Sequence, residues 1–229
     1  MRSRFRLAEV TIESMDMSSD APSLPSPGTL VPLAERDRIA ERYRTREHAV
    51  QERKKLGKAE IERGFALLND ALARDALRAT VNVVGGAVML LVHDLRPTTQ
   101  DVDAWIAPDN LIERHIRAVG AVLGDETWLN EQALMYFPDQ HPGKGDFTLC
   151  RDYGNLSVQV AGERTMFAMK ALALRNAKDR RGFQYLAEIL NLRTLSDAQT
   201  IIARYYRELT PARLVMIAGA LDEIAARAR

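Results

Sequence analysis

The sequence predicts an α+β protein, a mixed β-sheet with flanking helices and a helical C-terminal half. Three observations carry that expectation. Charged and amphipathic helical patterns occupy residues 34–79, short period-two segments cluster within 80–162, and residues 163–229 return to helical periodicity throughout. Ahead of them, residues 1–33 are expected as a flexible tail, because residues 18–32 hold four prolines among small polar residues.

From Glu35 to Lys58 the chain carries nine Arg or Lys and five Asp or Glu, with a thin apolar stripe of Ile39, Tyr43 and Val50. It reads as a helix, either a solvated face or an arm for phosphate or partner contacts. Ile61, Phe65, Leu68 and Leu72 follow at i, i+4, i+7 and i+11, an amphipathic helix that must pack on something. Thr80 to Val84 is short and β-branched, a buried strand running into Gly85 and Gly86 before a helix over 87–92. Val102, Ala104 and Ile106 alternate with Asp101, Asp103 and Trp105, giving a second strand with one apolar face. A helix opened by Pro108 or Asp109 carries Leu111, Ile112, Ile116 and Val119 and closes near Gly120 or Gly124. Three more strands are expected over 133–137, 147–150 and 156–160, punctuated by turn signals at 142–143 and 153–155. Helices are expected near 163–176, 183–191, 196–208 and 211–227, with Ser196, Thr210 and Pro211 as start signals.

Composition narrows the chemistry. At 46% hydrophobic the chain is too apolar to be wholly disordered. Cys150 is the only cysteine, which excludes an intramolecular disulfide scaffold and a cysteine-rich zinc site. The longest apolar run, Val83 to Val92, falls short of the ~20 residues a membrane span needs. No apolar stretch of signal-peptide kind follows Met1, and Met15 or Met17 are alternative starts, so a cytoplasmic location is expected. Basic and acidic side chains, 32 against 31, nearly cancel, so any nucleic-acid surface must be local.

On a strand, residues i and i+2 point to one side, so Asp101 and Asp103 present two carboxylates together while Val102 and Ala104 face the core. Two carboxylates are hard oxygen ligands suited to Mg²⁺, and metals ~3.5–4 Å apart serve in-line displacement at phosphorus. A Gly-Gly turn between strand and helix lets backbone N–H groups approach a phosphate. Together these parts outline a nucleoside-triphosphate site. Singly, a Gly-Gly turn is most often only a turn, and Asp-x-Asp only a solvated strand face. Trp105 shares the aspartate face and either stacks on a base or packs in the core or a lid. His93 and Asp94 have no serine or cysteine placed for activation, and Lys144 lacks the rest of a P-loop.

Gly85, Gly86 and Ala87, followed by Arg96-Pro97-Thr98-Thr99-Gln100-Asp101-Val102-Asp103, resemble the minimal nucleotidyltransferases of the polymerase-β superfamily. The match is most similar to the AbiEii and MenT-like toxin branch of bacterial toxin–antitoxin systems. A second block, Met166 to Asp179, resembles that family's helix with a lysine (Lys170), then an arginine (Arg175) and a Lys-Asp pair (Lys178, Asp179). The resemblance covers roughly residues 80–190. It implies a nucleotidyltransferase-like core over 80–162 and an Mg²⁺-dependent enzyme that moves a nucleotidyl group from a nucleoside triphosphate to RNA. The acceptor it points to is the 3′ end of tRNA, and the role that of a toxin. Gly85, Gly86, Thr99 and Lys170 would then hold the triphosphate, and Asp101 and Asp103 the metal. Lys170 would also neutralise developing charge, and Asp179 would be the remaining acidic residue of the catalytic site. The implied partners are the nucleoside triphosphate, RNA and a cognate antitoxin protein, with no membrane.

Residues 170 and 179 are about half a turn out of phase on an α-helix. The helix must therefore break near Asn176, leaving Asp179 as a site residue or as the N-cap of the next helix. Three departures from the family pattern stand out. Gly86 occupies a position often held by serine, Gly182 one often held by an acid, and Gln159 is the nearest match to a third strand carboxylate. They leave open a catalytically silent antitoxin or interaction module, and a transferase acting on a protein side chain. For RNA, Arg42, Arg46 and Arg53 in the basic segment, with Arg204 and Arg207, are the local candidates. Salt-bridged helix surface is the other explanation for them.

Overall fold

The computed structural model describes residues 26–44, 55–108, 111–138, 144–175 and 177–227. In chain order these begin with α1 (Leu33–Tyr43), β1 (Leu56–Gly57), α2 (Lys58–Arg74), β2 (Ala79–Val83), α3 (Gly85–Leu91), β3 (Thr98–Thr99) and β4 (Val102–Ala107). Next come α4 (Glu113–Leu123), β5 (Leu129–Asn130), two 3₁₀ turns (Gln132–Tyr136 and Lys144–Asp146), β6 (Phe147–Asp152) and β7 (Leu156–Ala161). The chain closes with α5 (Glu163–Ala173), α6 (Ala177–Ile189), α7 (Leu195–Ile202) and α8 (Pro211–Arg227). It is α+β, with a mixed sheet and a helical C-terminal half.

β2 is the centre of a five-stranded sheet in the order β5-β4-β2-β7-β6. β4 lies antiparallel to β2 and β7 parallel, while β5 is parallel to β4 and β6 antiparallel to β7. Val81 pairs with Ile106 and Val158, and Val83 with Ala104 and Val160, so these buried side chains share one apolar face. Each fully buried Val or Ile contributes about 1.5–3 kcal/mol, which makes this face the one that holds the sheet. The stripe Ile61, Phe65, Leu68 and Leu72 of α2 is buried, and α2 packs on β7 and α4. Along β4, Val102, Ala104 and Ile106 are buried while Asp103 and Trp105 stay partly exposed, the period of two read from the sequence.

In the helical half, the stacked rings of Phe167 and Phe183, with centroids 4.8 Å apart, join α5 to α6. The α1 helix docks on α6: the Tyr43 hydroxyl donates to Glu188, whose other carboxylate oxygen lies 2.7 Å from Arg42. The Gly28 N–H donates to Leu190 O at 2.8 Å and the Val31 N–H to Ile189 O at 2.9 Å. Residues 26–32, part of the expected tail, are thus tied to the end of α6; residues 1–25 lie outside the described residues.

Two expectations are corrected. Residues 133–137 do not form a strand, because Gln132–Tyr136 is a 3₁₀ turn. The Asn130 side-chain oxygen accepts the Gln132 N–H at 2.9 Å, and the Tyr206 hydroxyl donates to Tyr136 O at 2.5 Å. The first is a local side-chain bond of the kind that competes with a strand ladder, and the second ties the turn to the helical half. The charged segment is also not one helix to Lys58. The α1 helix ends at Tyr43, Arg44 is extended, and Leu56 and Gly57 pair antiparallel with Thr99 and Thr98 before α2 begins. At that start the Glu60 carboxylate accepts the Gly57 N–H at 3.0 Å. Residues 45–54, which include Arg46, Val50 and Arg53, lie outside the described residues. Further on, α4 opens at Glu113, later than Pro108, and closes on Gly124, whose φ of 77° is left-handed.

Candidate functional site

The β2 strand ends at Val83, Val84 is extended, and Gly85 turns the chain into α3 with φ of 68°. An L side chain is strained there, and an added Cβ would also sit 2.8 Å from Asp103 Oδ2. Gly86 is crowded differently: a Cβ would lie 2.5 Å from Arg96 Nη1 and 2.7 Å from Thr99 Oγ1. A side chain at 86 would require the Arg96 and Thr99 side chains to shift. The hydroxyl beside this turn comes instead from Thr99, on a strand that β1 holds in place through the Leu56–Thr99 pairing.

Asp103 is bound into the sheet through its backbone, where its carbonyl accepts the Val84 N–H at 2.9 Å. Asp101 stands one residue before β4, and the Asn130 amide of β5 donates to its Oδ2 at 3.3 Å. From the helical half, Lys170 runs along Gly182, where a Cβ would come within 3.4 Å of its Cε. That is ordinary van der Waals contact, so the lysine stem packs along the glycine. The chain breaks between α5 and α6 as the phase argument requires, and Asp179 falls inside the first turn of α6, beyond its N-cap position. Its side chain is 15% exposed, with Oδ2 3.9 Å from Arg175 Nε.

Gly85, Gly86, Thr99, Asp101, Asp103, Lys170 and Asp179 all line one cavity of about 330 Å³. Arg96 and Arg175 line it too. Burial pushes the Arg96 guanidinium below the ordinary arginine range, with Arg181 adding to the effect and the charges of Asp101 and Asp179 opposing it. An arginine is thereby held among the site carboxylates. Arg96 and Arg175 both stand in the motif segments, but their spacing alone assigned them no role. Tyr136 also lines the cavity, and the expectation of a strand over 133–137 had hidden it.

For a divalent cation the donor set is Asp101 and Asp103, with Asp179 on the same cavity. Among the described residues no group of three or more His, Cys, Asp or Glu is gathered to hold an ion. Mg²⁺ is commonly bound through one or two carboxylates with water and phosphate completing its shell. The residues fit a cation that arrives with a phosphate substrate, not a closed protein cage.

Other candidates lie elsewhere. Trp105 packs edge-on against Phe137, with centroids 6.2 Å apart, and is not part of the cavity wall. Asn82 sits between Trp105 and Gln159 across the sheet, so that row supplies no third carboxylate. Arg36, Arg42 and Arg44 are ion-paired with Glu163, Glu188 and Asp94 respectively. Arg204 and Arg207 are exposed. No described helix is long and apolar enough to cross a membrane.

His93 is a packed neutral side chain, with Nδ1 3.0 Å from the Tyr185 hydroxyl. Burial lowers its pKa from 6.5 to about 4, partly opposed by Glu163. Between these values the unfolded chain binds the extra proton, so stability falls as pH drops through this window and is unaffected above it. The full shift corresponds to about 3 kcal/mol. Denaturant titrations from about pH 7 down to about pH 5 should show a shallower acid loss in His93→Gln than in wild type. Identical acid limbs would show that His93 protonates freely in the folded protein.

Compared with known proteins, the chain matches no family model, no curated protein and no solved structure.

Proposed function

We propose that this protein is an Mg²⁺-dependent nucleotidyltransferase with a nucleotidyltransferase-like sheet. One observation supports it above the others: residues drawn from positions 85 to 179, on a Gly-Gly turn, two strands and two helices, converge on a single cavity. There three carboxylates, Asp101, Asp103 and Asp179, meet three cations, Arg96, Lys170 and Arg175. An anionic substrate accompanied by a divalent cation suits that mixture better than either charge alone would.

In this reading Gly85, Gly86 and Thr99 bind the triphosphate, with backbone N–H groups and a hydroxyl as donors. Asp101 and Asp103 would hold Mg²⁺, which when bound supplies charge neutralisation at the reacting phosphate. The acceptor hydroxyl oxygen bonds to the α-phosphorus, the bond to the β-phosphate oxygen breaks, and pyrophosphate leaves. Asp179 takes the hydroxyl proton. Lys170 and Arg96 face the charge that builds on the departing pyrophosphate. An RNA acceptor, specifically the 3′ end of tRNA, the role of a toxin and a cognate antitoxin partner rest on the sequence resemblance.

A second reading, a catalytically silent antitoxin or interaction module on the same fold, is favoured by the strand row of Trp105, Asn82 and Gln159, which carries no acid. Equilibrium binding separates the two. The enzyme should bind a nucleoside triphosphate tightly only when Mg²⁺ is present, and Asp101→Asn should erase that dependence. Binding that ignores Mg²⁺, or none in either protein, favours the silent module.

A further inference from the structure

The cavity has walls of two kinds. One is charged, as described. The other is built by Ala133, Met135 and Tyr136 of the first 3₁₀ turn with Met166, Met169 and Ala173 of α5. Phosphate and metal have no use for such a surface; a flat heteroaromatic group does. Tyr136 is the one aromatic side chain among the described residues that line the cavity.

The turn that carries its ring is anchored before any ligand arrives. The Tyr206 hydroxyl holds the Tyr136 carbonyl at 2.5 Å, and the Arg175 guanidinium lies over the ring, 5.8 Å from its centroid. The neighbouring Phe137 is anchored edge-on to Trp105 and stacked on Phe147, 6.1 Å between centroids. A ring carried on an anchored turn costs less ordering entropy when a second ring stacks with it. The adjoining Met135 is 76% exposed, so the apolar wall reaches the solvent edge of the molecule.

Resting on the reading of this cavity as a nucleoside-triphosphate site, we infer that Tyr136, flanked by Arg175, is the platform on which the nucleobase of the donor stacks. Stacking is tolerant of base identity because every base has a π-face. Tyr136 therefore sets the preference for a nucleotide over a bare polyphosphate, not the choice among the four bases.

The test compares two ligands, a non-hydrolysable nucleoside triphosphate and inorganic tripolyphosphate, both with Mg²⁺, by titration calorimetry on wild type, Tyr136→Phe and Tyr136→Leu. Wild type should bind the nucleotide more tightly than tripolyphosphate. Tyr136→Leu should lose about tenfold or more of the nucleotide affinity, the size of one base–aromatic stack. Tyr136→Phe should stay within about twofold of wild type, since the ring is kept. All three should bind tripolyphosphate alike. Nucleotide affinity unchanged in Tyr136→Leu overturns the inference and leaves the triphosphate site standing. So does a wild type that binds both ligands equally, a comparison that needs no variant to fold. A wild type that binds neither removes the nucleotide reading and this inference with it.

Discussion

Asp103→Asn is expected to lower nucleotidyl transfer about 10²–10³-fold, the scale of one lost electrostatic contact in the transition state, here made through the cation Asp103 would hold, with no loss of stability. The carboxylate lines the cavity, while Val102 and Ala104 on either side are buried and hold the strand in the core. Asp101→Asn should act alike, although the Asn130 amide that donates to Asp101 must then meet another amide. Turnover and thermal midpoint, measured on each variant, check both halves of this expectation. Wild-type turnover in either variant would remove these aspartates from the chemistry.

Lys170→Ala carries the second large effect. It should cut turnover by about 10²-fold, the scale of one electrostatic contact in the transition state, and change stability far less, because the lysine head lies on the cavity wall. Lys170→Arg should recover only part of the loss. A guanidinium fork replaces a compact ammonium, and its donors are placed differently from a point charge. Steady-state rates for the three proteins distinguish this from a surface role, in which both variants would match wild type.

Much of the fold was legible because burial follows periodicity. The alternation on β4 and the stripe on α2 appear in the structure as read, since each element has one face to bury. Asp103 faces the cavity by that logic, and Asp101, one residue ahead of β4, lines it too; the half-turn mismatch between Lys170 and Asp179 located the break before α6. What was missed depends on contacts distant in sequence. Leu56 and Gly57 form a strand only because Thr98 and Thr99 lie alongside them. Residues 132–136 turn because of Asn130 and Tyr206, the latter some seventy positions away, which no local pattern announces. The close approach of Arg96 and Thr99 to Gly86 is likewise tertiary.

The most direct measurement incubates the protein with total RNA, Mg²⁺ and each of the four nucleoside triphosphates, labelled in parallel at the α- or the γ-phosphate. A nucleotidyltransferase should move the α-label onto RNA, leave the γ-label in pyrophosphate, and lose the transfer in Asp103→Asn. Transfer of γ-label would instead mark a kinase. No transfer of either label to RNA or protein, from a protein that still binds the triphosphate, would contradict the proposed chemistry.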